Sequence, residues 1–369
     1  MDTFAAVFDD LEDPRTGNAT QHDLHEVLLI ALSAVVCGGE TCADMALFGR
    51  SKEKFLRSFM CLEHGIPSHD TFSRIFRLLK PTQFRACFIA FMGRFAAGLE
   101  GVVAIDGKTL RRSFDTAAGV SPLHMVTAFA VEARLVLGQI AVDAKSNEIT
   151  ALPKLLELLS LKGMIVTADA IHCQRATATA IVAAEADYAL ALKGNQGTLE
   201  DDVVRFLDDA ETPVASAQTV DGDHGRIETR TASISTDVDW LQERHAWPGL
   251  KAIGKITAER EMAGKVTTQT RYYLLSTALS PERLNAVVRS HWAIENSLHW
   301  VLDVVMDEDS LRNRCDHGPE NLAMLRHLAL NLAKLEPSKG SIRGKLKRAG
   351  WDETFLAGML SAFNRLEVR

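Results

Sequence analysis

From about residue 21 to 95 the apolar positions recur at helical spacing. HDLHEVLLIALSAVVCGG is an amphipathic run that stops at Gly38-Gly39, a helix terminator. CADMALFGRSKEKFLRSF continues the pattern to a turn at Gly65-Ile66-Pro67. Ser68 then caps a helix in which Phe72, Ile75, Phe76 and Leu79 form the apolar face, with Ser73, Arg74 and Arg77 on the other side. A short helix, a turn and a second helix with outward arginines are similar to a helix-turn-helix DNA reader. At about residue 101 the period shortens. GVVAID reads as a buried strand delivering Asp106, LHMVTAFAV and LVLGQIAV as two strands at hairpin spacing, and MIVTADA as a strand delivering Asp169. Helices over 149–161 and 173–186 flank MIVTADA, YALALK is a fifth strand, and a helix starts near Gln196. The predicted order is β-β-β-α-β-α-β-α.

Between about 200 and 285 three Thr- and Val-rich stretches, HGRIETRTASIS, LKAIGKITAERE and KVTTQTRYYLLST, read as an inserted antiparallel β region. The last 80 or so residues return to helical periodicity. The division expected is a helical region with the candidate DNA reader over 1–98, an α/β domain over 99–335 with the β insertion, and a basic helical segment over 336–369.

Composition narrows the class. The 369 residues carry a net charge of −7, which excludes a uniformly basic coat for nucleic acid. Local patches survive: Arg50, Lys52, Lys54, Arg57, Arg74, Arg77, Lys80, Arg85 and Arg94 face only three acids in the same stretch, and 337–351 holds five cations and no acid. No apolar run is long enough to span a membrane, and the acidic start is unlike a signal peptide, so a cytoplasmic chain with reduced thiols is expected. The six cysteines form no C-x-x-C pair and no histidine pair has zinc-helix spacing, which disfavours zinc. No phosphate-binding glycine loop occurs, so nothing points to an ATP-driven step.

Asp106 and Asp169 each end an apolar strand, where a carboxylate is costly unless something positive compensates it. Either alone is explained as a helix cap; two on adjacent strands with a third carboxylate are not. The third is Glu295, in RSHWAIENSLHWVLDV, where His291, Glu295, Leu298 and Leu302 share a helical face. Hard carboxylate oxygens without cysteine favour Mg²⁺ or Mn²⁺, and two such ions suit in-line phosphoryl transfer. Asp303, Asp307, Glu308 and Asp309 follow closely, Asp307 to Asp309 reading as a helix end or a turn, while Trp292 and Trp300 read as core.

AIDGKTLRRS, KSNEITALP, TADAIHCQ, YALALKGNQ and HWAIENSLHWVLDV, with SHDTFSRIF upstream, resemble the ISAs-type, or H-repeat-associated, DDE transposases of bacterial insertion sequences. The resemblance runs from about residue 5 to 335. It implies an RNase H-like mixed sheet flanked by helices, and a DDE transposase (a polynucleotidyl transferase and metal-dependent endonuclease) that cuts insertion-sequence ends and joins the 3′-OH to target DNA. The family's triad positions fall on Asp106, Asp169 and Glu295, holding two Mg²⁺ (or Mn²⁺) ions. The partners implied are double-stranded DNA, as terminal inverted repeats and as target, and a second copy in a synaptic homodimer. One departure stands out: where the wider group has Tyr, Arg and Lys around the glutamate, this chain has Val288, His291 and Leu302, while Trp292 is kept. Phosphate contacts from this helix are therefore expected from Arg289, His291 and His299. Lys108, Arg111 and Arg112 beside Asp106, Lys193 in KGNQG, and Arg74 and Arg77 upstream are the other expected DNA contacts, with His224, Arg226 and Arg230 alternating along one strand face. Two rival classes remain at this stage, a nuclease that cuts without joining and a non-catalytic DNA-binding relic.

Overall fold

The computed structural model describes residues 2–96, 98–114, 119, 121–142, 148–212, 214–223 and 226–364, the side chains of Asn18, Ala19, Asp223 and Arg226 excepted. Lys145, Ser146 and Asn147 of KSNEITALP, His224, and the side chain of Arg226 therefore lie outside the described residues. The first helices are α1 (Asp2–Val7), α2 (Leu24–Val36), α3 (Cys42–Ser51), α4 (Glu53–Leu56), α5 (His69–Leu78) and α6 (Pro81–Ala96). Asp23 caps α2, which ends before Gly38 at φ +88, and Ser68 Oγ caps α5 by accepting the Thr71 N–H. Helix α5 buries Phe72, Ile75 and Phe76, as its spacing predicts. The tight helix-turn-helix does not form, because residues 57–68 separate α4 from α5.

Five strands follow the predicted order: β1 (Gly101–Thr109), β2 (His124–Ala130), β3 (Leu135–Val142), β4 (Met164–Ala168) and β5 (Asp187–Leu192), with α7 (Glu148–Leu156) and α8 (Arg175–Ala183) between them. They lie in the order β3-β2-β1-β4-β5, with β1, β4 and β5 parallel and β2 antiparallel to both neighbours. This is the RNase H-like arrangement. After α9 (Thr198–Asp208) come β6 (Ala215–Asp223), β7 (Arg226–Ser235), α10 (Asp239–His245), β8 (Ala252–Met262) and β9 (Lys265–Leu275). The sequence missed β6, whose ASAQTVDGD offers no alternation of apolar residues. The insertion is also not a separate unit. Strand β9 pairs antiparallel with β5, through Ala189–Leu275 to Leu192–Tyr272, so one nine-stranded sheet runs through both regions.

Two layers cover this sheet. Val103 and Ile105 of β1 point into a core shared with α7, α8 and α9. The opposite face is crossed by α11 (Pro281–His291), which buries Leu284, Val287 and Val288 over Val102, Ala189, Ala232 and Tyr273. Beyond it lie α12 (Trp300–Val304), α13 (Gly318–Leu335), α14 (Ile342–Trp351) and α15 (Glu353–Leu360). The C-terminal helices pack into one core with α1, α2, α5 and α6. Lys345, in the basic C-terminal stretch, is buried and donates to the carbonyl of Ala333, so part of that patch faces inward. Among the described residues no helix is long and apolar enough to cross a membrane.

Gly107 reports how tightly β1 is held. A Cβ there would lie within 2.4 Å of His124 Nε2 and 2.8 Å of Glu148 Oε1, both buried. Gly107→Ala should therefore destabilise the fold by about 1–3 kcal/mol through overpacking, read as a lower midpoint in urea; an unchanged midpoint would show that this contact is loose.

Candidate active site

Strand alternation decides which side chains of AIDGKTL meet. Ala104, on the α11 side, packs in the core that holds Ile294 and Leu298, so Asp106 and Lys108 leave the same face. Ile105 is paired with Ala168 in the parallel ladder, which brings Asp106 beside Asp169 where β4 ends; β1 itself does not end at Asp106, as its apolar run suggests, but runs on to Thr109 paired with β2. Asp169 opens a short 3-10 turn, Ala170–His172. Asn195 donates to the carbonyl of Ala170 at 2.9 Å and Gln196 to that of Cys173 at 2.6 Å, so KGNQG props this turn. Glu148 binds the turn from below. Its carboxylate contacts the ring nitrogens of His124 and of His172 (3.3 Å for the latter), and all three residues are buried. These imidazoles hold Glu148 ionised: burial pushes its carboxyl up, but hydrogen bonds from both rings bring it down to about 2. Sequence reading missed this clamp; the hydrophilic string around Glu148 gave no sign that it would be buried.

Glu295 arrives from the other layer. Between α11 and α12 the chain makes a π-helical turn over Glu295–His299, in which the Trp300 N–H donates to the Glu295 carbonyl five residues back. The extra residue re-phases the helix: Leu298 and Leu302 stay buried, while Glu295 is half exposed above Asp106. Lys334 of α13 donates to the Ser297 carbonyl inside this turn at 3.0 Å and lies over the Phe129 ring. The predicted single face from His291 to Leu302 thus holds only in part.

Asp106, Glu295 and His299 offer ligand atoms that all lie within 4.8 Å of one another, the one such trio among the described residues. His299 Nδ1 stands 3.3 Å from Glu295 Oε2 and 3.6 Å from Asp106 Oδ2. Asp169 stays outside this trio. Its carboxylate is 3.7 Å from His291 Nε2, and His291 is hydrogen-bonded to Thr167 at 3.0 Å. Like charges repel in a poorly solvated site, and the fold separates them by giving each side an imidazole. The two histidines expected to touch phosphate thus stand among the carboxylates. Burial pushes the Asp106 carboxyl up to about 6, His299 opposing and Asp169 and Glu295 adding to the rise. Hydrogen bonds from His291 and His299 keep Asp169 and Glu295 below the usual carboxylate range. The two carboxylates, with His299 Nδ1 between them, form a donor set that fits a divalent cation.

The expected DNA contacts separate into two groups. Arg74, Arg112 and Lys193 are exposed, as is Arg111, whose Nε stands 3.4 Å from Asp309. Arg77 is paired with Asp316 at 2.8 Å, Arg289 with Asp221, and Arg230, only 11% exposed in its side chain, with Glu228 at 2.9 Å. Lys108 departs most from expectation. Its ammonium is turned inward onto Asp303 (2.6 Å) and Glu308 (2.7 Å), because alternation points it at the far end of the glutamate helix. Trp292 and Trp300, expected in the core, are 47% and 56% exposed.

Two protonation effects are measurable. Asp106 is harder to ionise in the fold than in the unfolded chain, so ionising it costs the metal-free protein stability above about pH 6. Asp106→Asn should raise the metal-free melting temperature at pH 7.5 and abolish the rise that Mn²⁺ gives the parent, a rise that itself fades below about pH 6; an unchanged Mn²⁺ response would remove Asp106 from the metal site. Lys334 is pushed down to about 7 by burial, so between pH 7 and 10.5 the unfolded chain holds a proton the fold lacks, and stability rises with pH. Lys334→Met should remove a slope of up to about 1.4 kcal/mol per pH unit from that window, read by urea unfolding at a series of pH values.

The chain matches a family described as DDE_Tnp_1-associated over residues 5–92 and one described as Transposase DDE domain over residues 97–332. It is 37% identical to protein YbfL of Escherichia coli (strain K12) over 365 residues, 95% of this chain and 96% of that one. Identity to the H repeat-associated protein YhhI of the same strain is 36% over 363 residues, again 95% and 96%. A protein encoded in the dhlA 3′ region of Xanthobacter autotrophicus is 43% identical over 279 residues, 74% of this chain and 94% of its own. The carboxylates on β1, after β4 and on the π-helical turn thus sit in a matched transposase domain, and the chain belongs to the H repeat-associated DDE transposases, enzymes whose carboxylates work with divalent metal.

Proposed function

We propose that this enzyme cleaves DNA at the ends of an insertion sequence and joins the freed 3′-hydroxyl to target DNA, with Asp106, Asp169 and Glu295 as its catalytic and metal-holding residues. The observation that carries this reading is the gathering of Asp106, Glu295 and His299 within 4.8 Å beside the exposed Asp169. Mg²⁺ or Mn²⁺, as two ions, supplies the positive charge that activates the attacking oxygen and stabilises the departing one. Asp106 and Glu295 hold that charge from two different layers of the fold, and Asp169 closes the site from the solvent side. His291 and His299 keep Asp169 and Glu295 ionised and aimed, and lie within reach of a phosphate at the same mouth. The same residues serve cutting and joining, because the hydroxyl released in the first step is the nucleophile of the second and need not leave.

DNA reaches this mouth over exposed cations. Arg111 and Arg112 extend past β1, and Lys193 stands on the loop that props the Asp169 turn. Arg74 on α5 places a cation on the helical region assigned here, over residues 1–98, to the terminal inverted repeats. Arg226, Arg230 and Arg289 flank the insertion side, where Arg230 and Arg289 exchange Glu228 and Asp221 for phosphates. Two ends must be cut in concert, so a homodimer on paired ends is the working assembly, in the cytoplasm on the nucleoid.

The test uses duplexes of the DNA flanking the gene. Wild-type protein should nick the end in Mg²⁺ and transfer a labelled 3′-OH strand to a plasmid. Asp106→Asn, Asp169→Asn and Glu295→Gln should each lower both rates by at least about 10³-fold while leaving end binding in a gel shift within about twofold. Cutting without transfer would make it a nuclease, and binding without cutting in the wild type would make it a catalytically silent relic.

A further inference from the structure

Lys108 lies two residues beyond Asp106 on β1 and is half of the DGK string, yet its position is unlike that of a DNA contact. Its side chain is 12% exposed, and its ammonium is met by Asp303 at 2.6 Å, Glu308 at 2.7 Å and Asp309 at 3.7 Å. Asp303 belongs to α12, eight residues beyond Glu295 on the same helical rod. Glu308, fully buried, is 3.6 Å from Arg326 of α13. His299, Lys108, Thr127, Leu302, Glu308 and His327 line one small cavity directly behind the carboxylates. Burial disfavours the Lys108 charge, but Glu308 and Asp303 more than offset this and keep the ammonium protonated.

From this geometry we infer that Lys108 is a positioning residue: it ties the helix that carries Glu295 to the strand that carries Asp106, and so sets the distance between the two carboxylates. The physical need is plain. Nothing covalent links the layers at this point, and Asp106 and Glu295 repel each other. A buried ion pair whose charges sit on the same two elements opposes that repulsion. Removing one partner leaves the others as uncompensated buried charges, which is costly. The pair also explains why a cation so near the site is paired inward with acids and why Asp303 follows the triad glutamate closely.

The inference rests on reading Asp106 and Glu295 as the metal-holding pair, and its test separates the two claims. Lys108→Met and Asp303→Asn are made singly and together in the full chain, with Lys108→Arg as the conservative control. Hydrogen exchange is measured on metal-free protein, Mn²⁺ binding by titration calorimetry, and binding to the flanking duplex as a function of salt. In both single variants, amides of 293–304 should exchange about tenfold faster with those of β4 and β5 unchanged, and Mn²⁺ affinity should fall by about tenfold. The double variant should be no worse than either single one, because both remove the same link. Lys108→Arg should recover most of the loss, and duplex affinity should stay within about twofold throughout. The inference is overturned if Lys108→Met weakens duplex binding, lowers the salt slope by about one and leaves exchange unchanged, as a phosphate contact would. Additive losses in the double variant would overturn it equally. Should wild-type protein fail to cut the duplex while exchange and Mn²⁺ binding behave as stated, the proposed function falls and the positioning role stands.

Discussion

Repulsion among carboxylates brought to one edge of a sheet is the constraint around which this structure is built. Asp106 and Asp169 emerge on neighbouring parallel strands, and Glu295 descends on them from a helix in another layer. Each carboxylate costs desolvation, and each makes the next more costly. The response is local pairing: His299 stands between Asp106 and Glu295, and His291 beside Asp169. Two further clusters stand one and two residues on along β1, Glu148 with His124 and His172 on one face and Lys108 with Asp303 and Glu308 on the other. Because β1 alternates, Gly107 faces the first and Lys108 the second.

The π-helical turn is the backbone counterpart of this arrangement. A regular helix from α11 would carry its apolar stripe past the strand ends without change of phase. One extra residue lets Leu298 and Leu302 remain in the core while Glu295 and His299 lean together over Asp106. Such turns are uncommon because their hydrogen bonds are poorer. Here Lys334 donates to the Ser297 carbonyl within it, a buried amine that would otherwise be a liability. Trp292 and Trp300 stand exposed on either side of Glu295.

The β insertion gives that helix its bed. By pairing β9 with β5 it widens the sheet, and α11 lies across both the original strands and the added ones, burying Val287 and Leu284 on Ala232 and Tyr273. Asn285 donates to Thr219 on β6 at 2.6 Å, so even the edge strand helps orient the helix. The stretch between Asp169 and Glu295 therefore supplies the platform that places the glutamate.

How much of this was legible beforehand follows from the range of the interactions. The order of the first five strands, the Ser68 cap and the buried face of α5 depend on neighbours a few positions away, and the periodicity of GVVAID or TFSRIFRLL displays them directly. Asp106 and Asp169 stand out in the sequence as acids closing apolar runs, and the resemblance in AIDGKTLRRS and HWAIENSLHWVLDV singles out Glu295; the fold gathers Asp106 and Glu295 with His299 and leaves Asp169 beside His291. Strand β6 was not legible, since its stability comes from β7 and α11 and not from its own residues. The inward turn of Lys108, the burial of Glu148 and the outward turn of Trp292 and Trp300 were decided only in three dimensions. The first two depend on partners more than 20 residues away, and a charge or an indole has the same letter in a sequence whether it meets water or an acid 200 positions along the chain.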